Sequence, residues 1–165
     1  MVRGSKIVNI SLGAQRDMTL RLKKDRARQL EEAGGTSTRP TQRFPLPHNS
    51  MFVMGPETNA TWLHAIRHDK RPLELKSPPE RYESGERISL TFRHIGTFLT
   101  KDQTKIYGQG AKGKTKDDAR PVVNGTAEGA KLIEVFGKEN HESDFDWDTN
   151  YGDGYDVLHF KGASA

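Results

Sequence analysis

The segment 85–94, GERISLTFRH, carries two arginines at the ends of one face of a predicted strand. Side chains alternate across a strand, so Arg87, Ser89, Thr91 and Arg93 share that face. At a rise of about 3.3 Å per residue, the two arginine α-carbons lie roughly 20 Å apart. Guanidinium groups pair with carboxylates bidentately, so two long side chains leaning together can hold both ends of a small dicarboxylate. An edge strand with two surface arginines fits the same pattern.

An upstream segment adds a histidine. In NATWLHAIRHDKRP (59–72), His64 lies on an apolar, aromatic strand, 23 residues before Arg87. Together, TNxxWLH and RISLTFR resemble the carboxy-terminal core of the AlkB-like Fe(II)/2-oxoglutarate dioxygenases. In that family a tryptophan- or tyrosine-bearing strand presents the distal iron histidine, and an R-x-N-L-T-F-R strand binds 2-oxoglutarate. The segments 7–24 and 44–59 match the family's preceding strands in order, so the resemblance covers about residues 5–98.

The resemblance implies a role for four residues. His64 would be the second histidine of an iron facial triad, which needs two histidines and one carboxylate. Arg87 would hold the distal carboxylate of 2-oxoglutarate, and Arg93 would lie near its other end. Ser89 occupies the position where the family usually has asparagine, and it is a shorter donor. The implied cofactors are therefore Fe(II) and the cosubstrate 2-oxoglutarate.

One motif of the family is missing from the sequence. The first histidine and the carboxylate of the triad come from an H-x-D or H-x-E motif, and no histidine of this chain begins one. The six histidines are His48, His64, His68, His94, His141 and His159. His68 and Asp69 are adjacent, and adjacent strand residues point to opposite faces, so they chelate one ion poorly. We therefore expect the rear portion of a dioxygenase: a recombinant fragment, a truncated gene model or a degenerate paralogue.

The resemblance implies oxidative dealkylation of N-alkylated nucleobases in DNA or RNA repair or demethylation. Access to a base atom requires a flipped or single-stranded nucleotide. A protein or lipid substrate is an alternative, because family members differ there. For lack of H-x-D, we expect no turnover by this chain alone. A hypothesis from another class is a catalytically dead nucleic-acid-binding module on the same scaffold.

Composition is compatible with a nucleic-acid partner. The 165 residues carry a net charge of +4, which divides into +10 for residues 1–125 and −6 for residues 126–165. A basic body can neutralise phosphates, although a solvated surface with an acidic tail gives the same totals. No apolar run is long enough to span a bilayer, no signal peptide is recognisable, and cysteine is absent. We expect an intracellular protein, nuclear or cytoplasmic, with no membrane association.

The predicted architecture is mainly β. About six short strands without helical crossovers indicate a sandwich or barrel, and the resemblance specifies a double-stranded β-helix, or jelly-roll, incomplete at its amino terminus. The strands 6–13 and 17–24 are expected to form a hairpin, residues 25–32 a short helix or part of a loop, and the stretch after His64 a protruding loop. We divide the chain into a dioxygenase portion (1–107), a basic glycine-rich linker (108–125), and a helix (126–140) followed by an acidic aromatic tail that packs on the body (126–165 in all).

Two further segments match known binding motifs, but the residues within or around them do not suit the corresponding sites. GQGAKGKT (108–115) matches the P-loop pattern, but its entering segment is too polar for a buried strand and a proline follows six residues later. DFDWDTNYGDGYD (144–156) resembles a calcium loop, but neither register places glycine at position six and glutamate at position twelve. We interpret the first as an accidental match and the second as solvated acidic turns.

Overall fold

The computed structural model describes residues 1–124 and 127–158. Their strands are β1 (Ile7–Gly13), β2 (Arg16–Leu22), β3 (Thr41–Leu46), β4 (Ser50–Met54), β5 (Trp62–Ile66), β6 (Arg87–Arg93), β7 (Thr97–Leu99), β8 (Lys105–Gly108) and β9 (Arg120–Pro121). Their α-helices are α1 (Lys24–Glu32), α2 (Pro56–Thr61), α3 (Pro78–Arg81), α4 (Ala127–His141) and α5 (Trp147–Tyr151). More of the described residues lie in β-strands than in α-helices, and the carboxy-terminal helices α4 and α5 follow the strands. This confirms the predicted mainly β class.

The chain divides into two compact units. One is Lys6–Arg93, and the other combines Met1–Ser5 with the described residues from His94 onward. The first unit contains two three-stranded antiparallel sheets, with strand orders β4-β1-β6 and β3-β2-β5. Each sheet interleaves strands that are distant in sequence, as a jelly-roll requires. The second unit has a small antiparallel sheet of order β7-β8-β9.

The predicted hairpin between β1 and β2 is wrong. β1 pairs with β4 and β6, whereas β2 pairs with β3 and β5, so the chain changes sheets between the two strands. Gly13 lies at this corner with φ of +87°, and the Ala14 amide donates to the Glu86 carbonyl at 2.6 Å. This corner directs β2 into the second sheet, where its own partners are non-local.

The core of the first unit is supplied by both sheets. Met18, Leu20 and Leu46 are buried at 6%, 4% and 3% exposure. Phe52 of the first sheet, and Trp62 and Ile66 of the second, pack against them. The apolar residues that alternate along β2 and β5 thus pack on the core, and a polar residue in the same phase of these strands lies on the same face of the sheet.

The segments between the strands also form local structure. Residues 24–32 adopt the helical alternative, α1, with Asp25 in its first turn, where a negative charge suits the helix dipole. Residues 67–86 include α3 and two 3₁₀ turns, Leu73–Leu75 and Tyr82–Gly85. The Arg71 guanidinium pairs with the carboxylates of Asp69 at 2.8 Å and Glu80 at 2.5 Å and holds this stretch together.

In the second unit, the segments 108–115 and 144–156, which resemble a P-loop and a calcium loop, make local structural contacts. The Lys114 ammonium donates to the carbonyls of Gln109 and Ala111, at 3.3 and 2.7 Å, so it closes its own loop. Asp146 caps α5 by accepting from the Thr149 amide at 2.8 Å. The predicted helix at 126–140 is observed as Ala127–His141. The end of the predicted acidic tail, residues 159–165, lies outside the described residues.

The helices of the described ranges are too short or too polar to cross a lipid bilayer.

The Gly13 corner predicts a strain penalty. In Gly13→Ala, the added methyl would meet the backbone oxygen of Glu86 at a positive φ, so we expect unfolding to become easier by about 1–3 kcal/mol in urea denaturation. Gly55→Ala in the same unit is the matched control, because Gly55 has a negative φ and open space around it. An equal loss of stability in both variants would contradict this account of the corner.

Candidate functional site

The pairing of β1 with β6 builds one polar row on a single face of the first sheet. Opposite Arg87, Ser89, Thr91 and Arg93 lie Gly13, Ser11, Asn9 and Ile7, respectively. Directly opposed residues of an antiparallel pair point to the same face. The row on β6 that sequence analysis identified is therefore joined by two polar side chains of β1.

Asn9 ties the row together. Its side-chain amide donates to the hydroxyls of Ser89, at 2.7 Å, and Thr91, at 3.1 Å. The Ser11 hydroxyl donates to the Asn9 side-chain oxygen at 3.4 Å. Asn9 and Ser11 are buried at 8% and 1% exposure. Buried polar groups need partners, so these bonds fix the hydroxyls of β6 in place.

Arg87 is held by the same network. Its Nη2 donates to the Ser11 hydroxyl at 2.7 Å and to the Asn9 side-chain oxygen at 3.4 Å. Its Nε is buried and has no hydrogen-bond partner among the described residues. Burial, with a smaller contribution from the charge of Arg16, lowers the pKa of Arg87. A fixed guanidinium with one unused buried donor and a second cation nearby is suited to bind an anionic oxygen.

Arg93 and His64 lie on different sheets, and the positive charge of Arg93 still acts on the His64 ring. His64 lies opposite Leu20 of β2, in the same phase as Trp62 and Ile66, which pack on the core. Partial burial lowers the pKa of His64, and the positive charge of Arg93 lowers it further. His64 and Arg93 are both exposed, so they mark the open end of the row, and Arg87 marks the half-buried end. At neutral pH the imidazole is uncharged and has a free lone pair.

The arrangement favours one of the two implied groups. A guanidinium at each end and hydroxyls between them match a small dicarboxylate such as 2-oxoglutarate, and the unused Nε of Arg87 fits one of its carboxylates. The residues present do not fit iron(II). In residues 1–124 and 127–158, no three His, Cys, Asp or Glu side chains come together as a metal site would need. His64 alone falls short of a facial triad.

Sequence analysis missed Asn9 and Ser11. The signal was present, because the strand IVNISLG has polar residues at two alternate positions between apolar ones. Alternation assigned these residues to one face, but the partner strand could not be read from it. The register with β6 supplies the missing information.

Comparisons with known proteins support the family. The model of the 2OG-Fe(II) oxygenase superfamily matches residues 2–93, more than half of the chain. The mouse (Mus musculus) DNA oxidative demethylase ALKBH2 is 34% identical over 92 residues, which are 56% of this chain and 32% of that protein. The human (Homo sapiens) DNA oxidative demethylase ALKBH2 is 33% identical over 98 residues, 59% of this chain and 31% of that protein. The match thus spans about a third of the length of these relatives. Solved structures gave no significant match.

The positive charge of Arg93 near His64 predicts a shifted titration. We expect the His64 ring proton to titrate below the ordinary pKa of about 6.5 in NMR spectra, and Arg93→Gln to raise that pKa by removing a positive charge. Because the folded-state pKa is depressed, the stability that this group contributes is present above pH 6.5 and is lost as pH falls through the folded pKa.

Arg43→Gln is the control for this titration. Arg43 is an exposed arginine on β3, where it lies opposite Thr19, and it is not among the charges that act on His64. If Arg93→Gln leaves the pKa of His64 unchanged, Arg93 and His64 do not interact electrostatically.

Proposed function

We propose an oxidative dealkylation function for this chain, which belongs to the 2OG-Fe(II) oxygenase superfamily. In this proposal the polypeptide supplies the 2-oxoglutarate-binding part of a site that acts on N-alkylated nucleobases. The observation that carries it is the buried, unpartnered Nε of Arg87 in a row that ends at Arg93 and His64. The family uses Fe(II) and 2-oxoglutarate, and with oxygen these would hydroxylate an N-alkyl carbon and yield succinate, carbon dioxide and formaldehyde.

Each residue of the row has a separate task in the proposal. Arg87 binds the distal carboxylate of 2-oxoglutarate, and the bonds from its Nη2 to Ser11 and Asn9 keep the guanidinium aimed inward. Arg93 neutralises the other end. Ser89 is held by the Asn9 amide, and since its oxygen accepts that bond, its hydroxyl proton stays available to donate to the ligand. The family usually has an asparagine at the position of Ser89. In the proposal, the shorter Ser89 side chain, held by Asn9, takes the place of that asparagine.

The metal would need residues beyond those described. His64 supplies one ligand, and a second histidine and a carboxylate are required. β5 and β6 each end their sheet, with one pairing partner among the described strands, and they carry His64 and the arginine row. A further segment pairing along these edges would lie beside the site. Completing the metal site would take an H-x-D or H-x-E motif of the kind the family uses, and no histidine of this sequence begins one.

A basic cavity on the first unit supports nucleic acid as the substrate. Lys24 and Arg28 of α1, with Arg39, surround a space of about 190 Å³ that also presents the hydroxyls of Thr36, Ser37 and Thr38. Ala27 and the carboxylate of Glu31 complete its lining, so three cations face one acidic group. We call the three cationic and the three hydroxyl-bearing residues the basic cradle. Arg39 donates from Nε to the Leu22 carbonyl, and its buried Nη2 has no partner in the described ranges. Cations and hydroxyl donors of this kind bind phosphate. DNA is named in the activity of both relatives. A nucleic-acid substrate would place the protein inside the cell, in the nucleus or cytoplasm.

A second candidate is a binding module without catalysis. It is favoured by the single potential metal ligand of the site, His64, and by the basic cradle, which does not depend on a metal. The two candidates differ in the arginine row, because a binding module has no use for a dicarboxylate.

Binding of 2-oxoglutarate distinguishes them. We expect the chain to bind 2-oxoglutarate weakly in ligand-observed NMR and Arg87→Gln to weaken that binding about 10- to 150-fold, as loss of a charged hydrogen bond does. The control is Arg81→Gln, an exposed arginine at the end of α3. Equal binding by Arg87→Gln and the unmodified chain would rule out the assigned role.

Turnover is a separate prediction. With iron(II), oxygen, 2-oxoglutarate and an N-methylated oligonucleotide, we expect this 165-residue chain to form no succinate above background, because one histidine holds iron poorly. Succinate is measured by mass spectrometry against a reaction without protein. Clear turnover would show that another pair of ligands replaces H-x-D.

The basic cradle predicts a salt dependence. For single-stranded DNA, log K falls with log salt concentration with a slope of about 0.7 per neutralised phosphate, so removing two cations in Lys24→Gln/Arg28→Gln should reduce the slope by about 1.4. Lys131→Gln/Lys138→Gln removes the same charge from α4 and should leave the slope nearly unchanged. Fluorescence anisotropy at several salt concentrations gives both slopes. Identical slopes in the two double variants would place the phosphate contacts elsewhere.

A further inference from the structure

A second cavity lies between the two sheets of the first unit, beside the polar row. It has a volume of about 360 Å³, and its walls include the rings of Phe44, Phe52 and Trp62 above Leu20. The Phe44 and Phe52 rings are 5.9 Å apart between centroids and inclined at 47°. Its size is within the range of small-molecule sites. We call it the aromatic cavity.

The aromatic cavity is not the dicarboxylate row. Phe52 lies opposite Asn9 in the pairing of β4 with β1, so the two are neighbours. The cavity walls, however, contain neither His64 nor either arginine of β6. The dicarboxylate function therefore leaves this space unexplained.

The chemistry of the walls selects a class of ligand. Three aromatic rings offer faces and edges to a flat ring, and aromatic pairs stabilise by about 0.5–1.5 kcal/mol beyond the area that they bury. Gln42 and Thr58 add an amide and a hydroxyl to the lining, and these can donate to and accept from the edge of a heterocycle. A planar ring with polar edges, as in a nucleobase, matches both features. An aliphatic chain would leave the two polar groups unmatched.

The basic cradle adjoins the aromatic cavity. Arg39 of the cradle donates to the Leu22 carbonyl, and Leu22 is the register partner of Trp62. The Lys23 amide donates to the Thr61 carbonyl at 2.9 Å, so the start of α1 is joined to the start of β5. Cations that follow a phosphate backbone beside rings that stack on bases are the two components of single-strand recognition.

We propose that the aromatic cavity binds one nucleobase of a single-stranded nucleic acid while the basic cradle binds a phosphate of the same strand. This proposal rests on the proposed function, which makes nucleic acid the substrate, and it adds a base-stacking site apart from the dicarboxylate row. Phe44 is 37% exposed, and Phe52 and Trp62 are half-buried, so each of the three rings keeps part of its surface open to solvent.

Trp62 allows a direct test in a Trp147→Phe background, because Trp62 and Trp147 are the two tryptophans of the chain. The probes are a single-stranded oligothymidylate of about 12 nucleotides and an abasic strand with the same phosphates. We expect the thymidylate to quench Trp62 emission and to bind about 5- to 150-fold more tightly than the abasic strand. Phe44→Ala should remove most of this difference and leave abasic binding unchanged.

Two further variants serve as controls, one for misfolding and one for the loss of an unrelated aromatic ring. Phe44→Leu keeps apolar volume without a ring, so it should fold, as checked by circular dichroism, and still lose several-fold in thymidylate affinity. Phe92→Ala removes an exposed ring, 54% accessible, from the opposite phase of β6 and should retain the full preference for bases.

The two proposals fail in different ways. Equal affinity for both strands with unchanged Trp62 emission would overturn the aromatic cavity as a base site while leaving phosphate binding intact. Absence of binding to either strand, even at low salt, would overturn the nucleic-acid function and the base site together.

Discussion

The register between β1 and β6 determines the hydrogen bonds of the polar row in the candidate site. It places Asn9 between Ser89 and Thr91 and brings Ser11 within 2.7 Å of the Arg87 guanidinium. A slip of one residue would turn one strand's whole set of side chains to the other face. The buried amide of Asn9 would then lose its partners, which costs more than the bonds themselves contribute. The polar row is therefore specified by hydrogen bonding as well as by the apolar residues around it.

The polar row and its surroundings concentrate positive charge. Arg16 and Arg87 lie near one another at one end, and Arg93 lies near His64 at the other, as the lowered pKa values of Arg87 and His64 reflect. Like charges in a partly desolvated space repel one another, and an anion relieves that repulsion. The same environment keeps His64 neutral. In the proposed function, this electrostatic arrangement would favour a bound dicarboxylate and leave the imidazole free to bind a metal.

Two kinds of surface extend from this region. The aromatic cavity continues from the polar row past Phe52, and the basic cradle continues from the shared end of β2 and β5. In the proposed function, a strand of nucleic acid would contact a stacking surface and a phosphate site before it reaches the arginine row. β5 and β6, which carry His64 and the arginine row, each end their sheet among the described strands.

Much of this could be predicted from the sequence because alternation is a local property. The strands around Ile10, Leu20, His64 and Leu90 are visible from the period of their side chains, and the shared face of Arg87 and Arg93 follows from the same period. The absence of H-x-D is likewise a property of the sequence. Alternation does not identify the partner of a strand, however, because strand pairing depends on contacts between residues that are distant in the chain.

The tertiary structure therefore decided what alternation left open. It paired β1 with β6 instead of β2, because the corner at Gly13 carries the chain from one sheet to the other. It made Asn9 a member of the site and brought the charge of Arg93 near His64 across two sheets. The sequence by itself determined which side chains share a face; which faces meet was decided only by non-local pairing, since the free energy that selects it resides in contacts between distant residues.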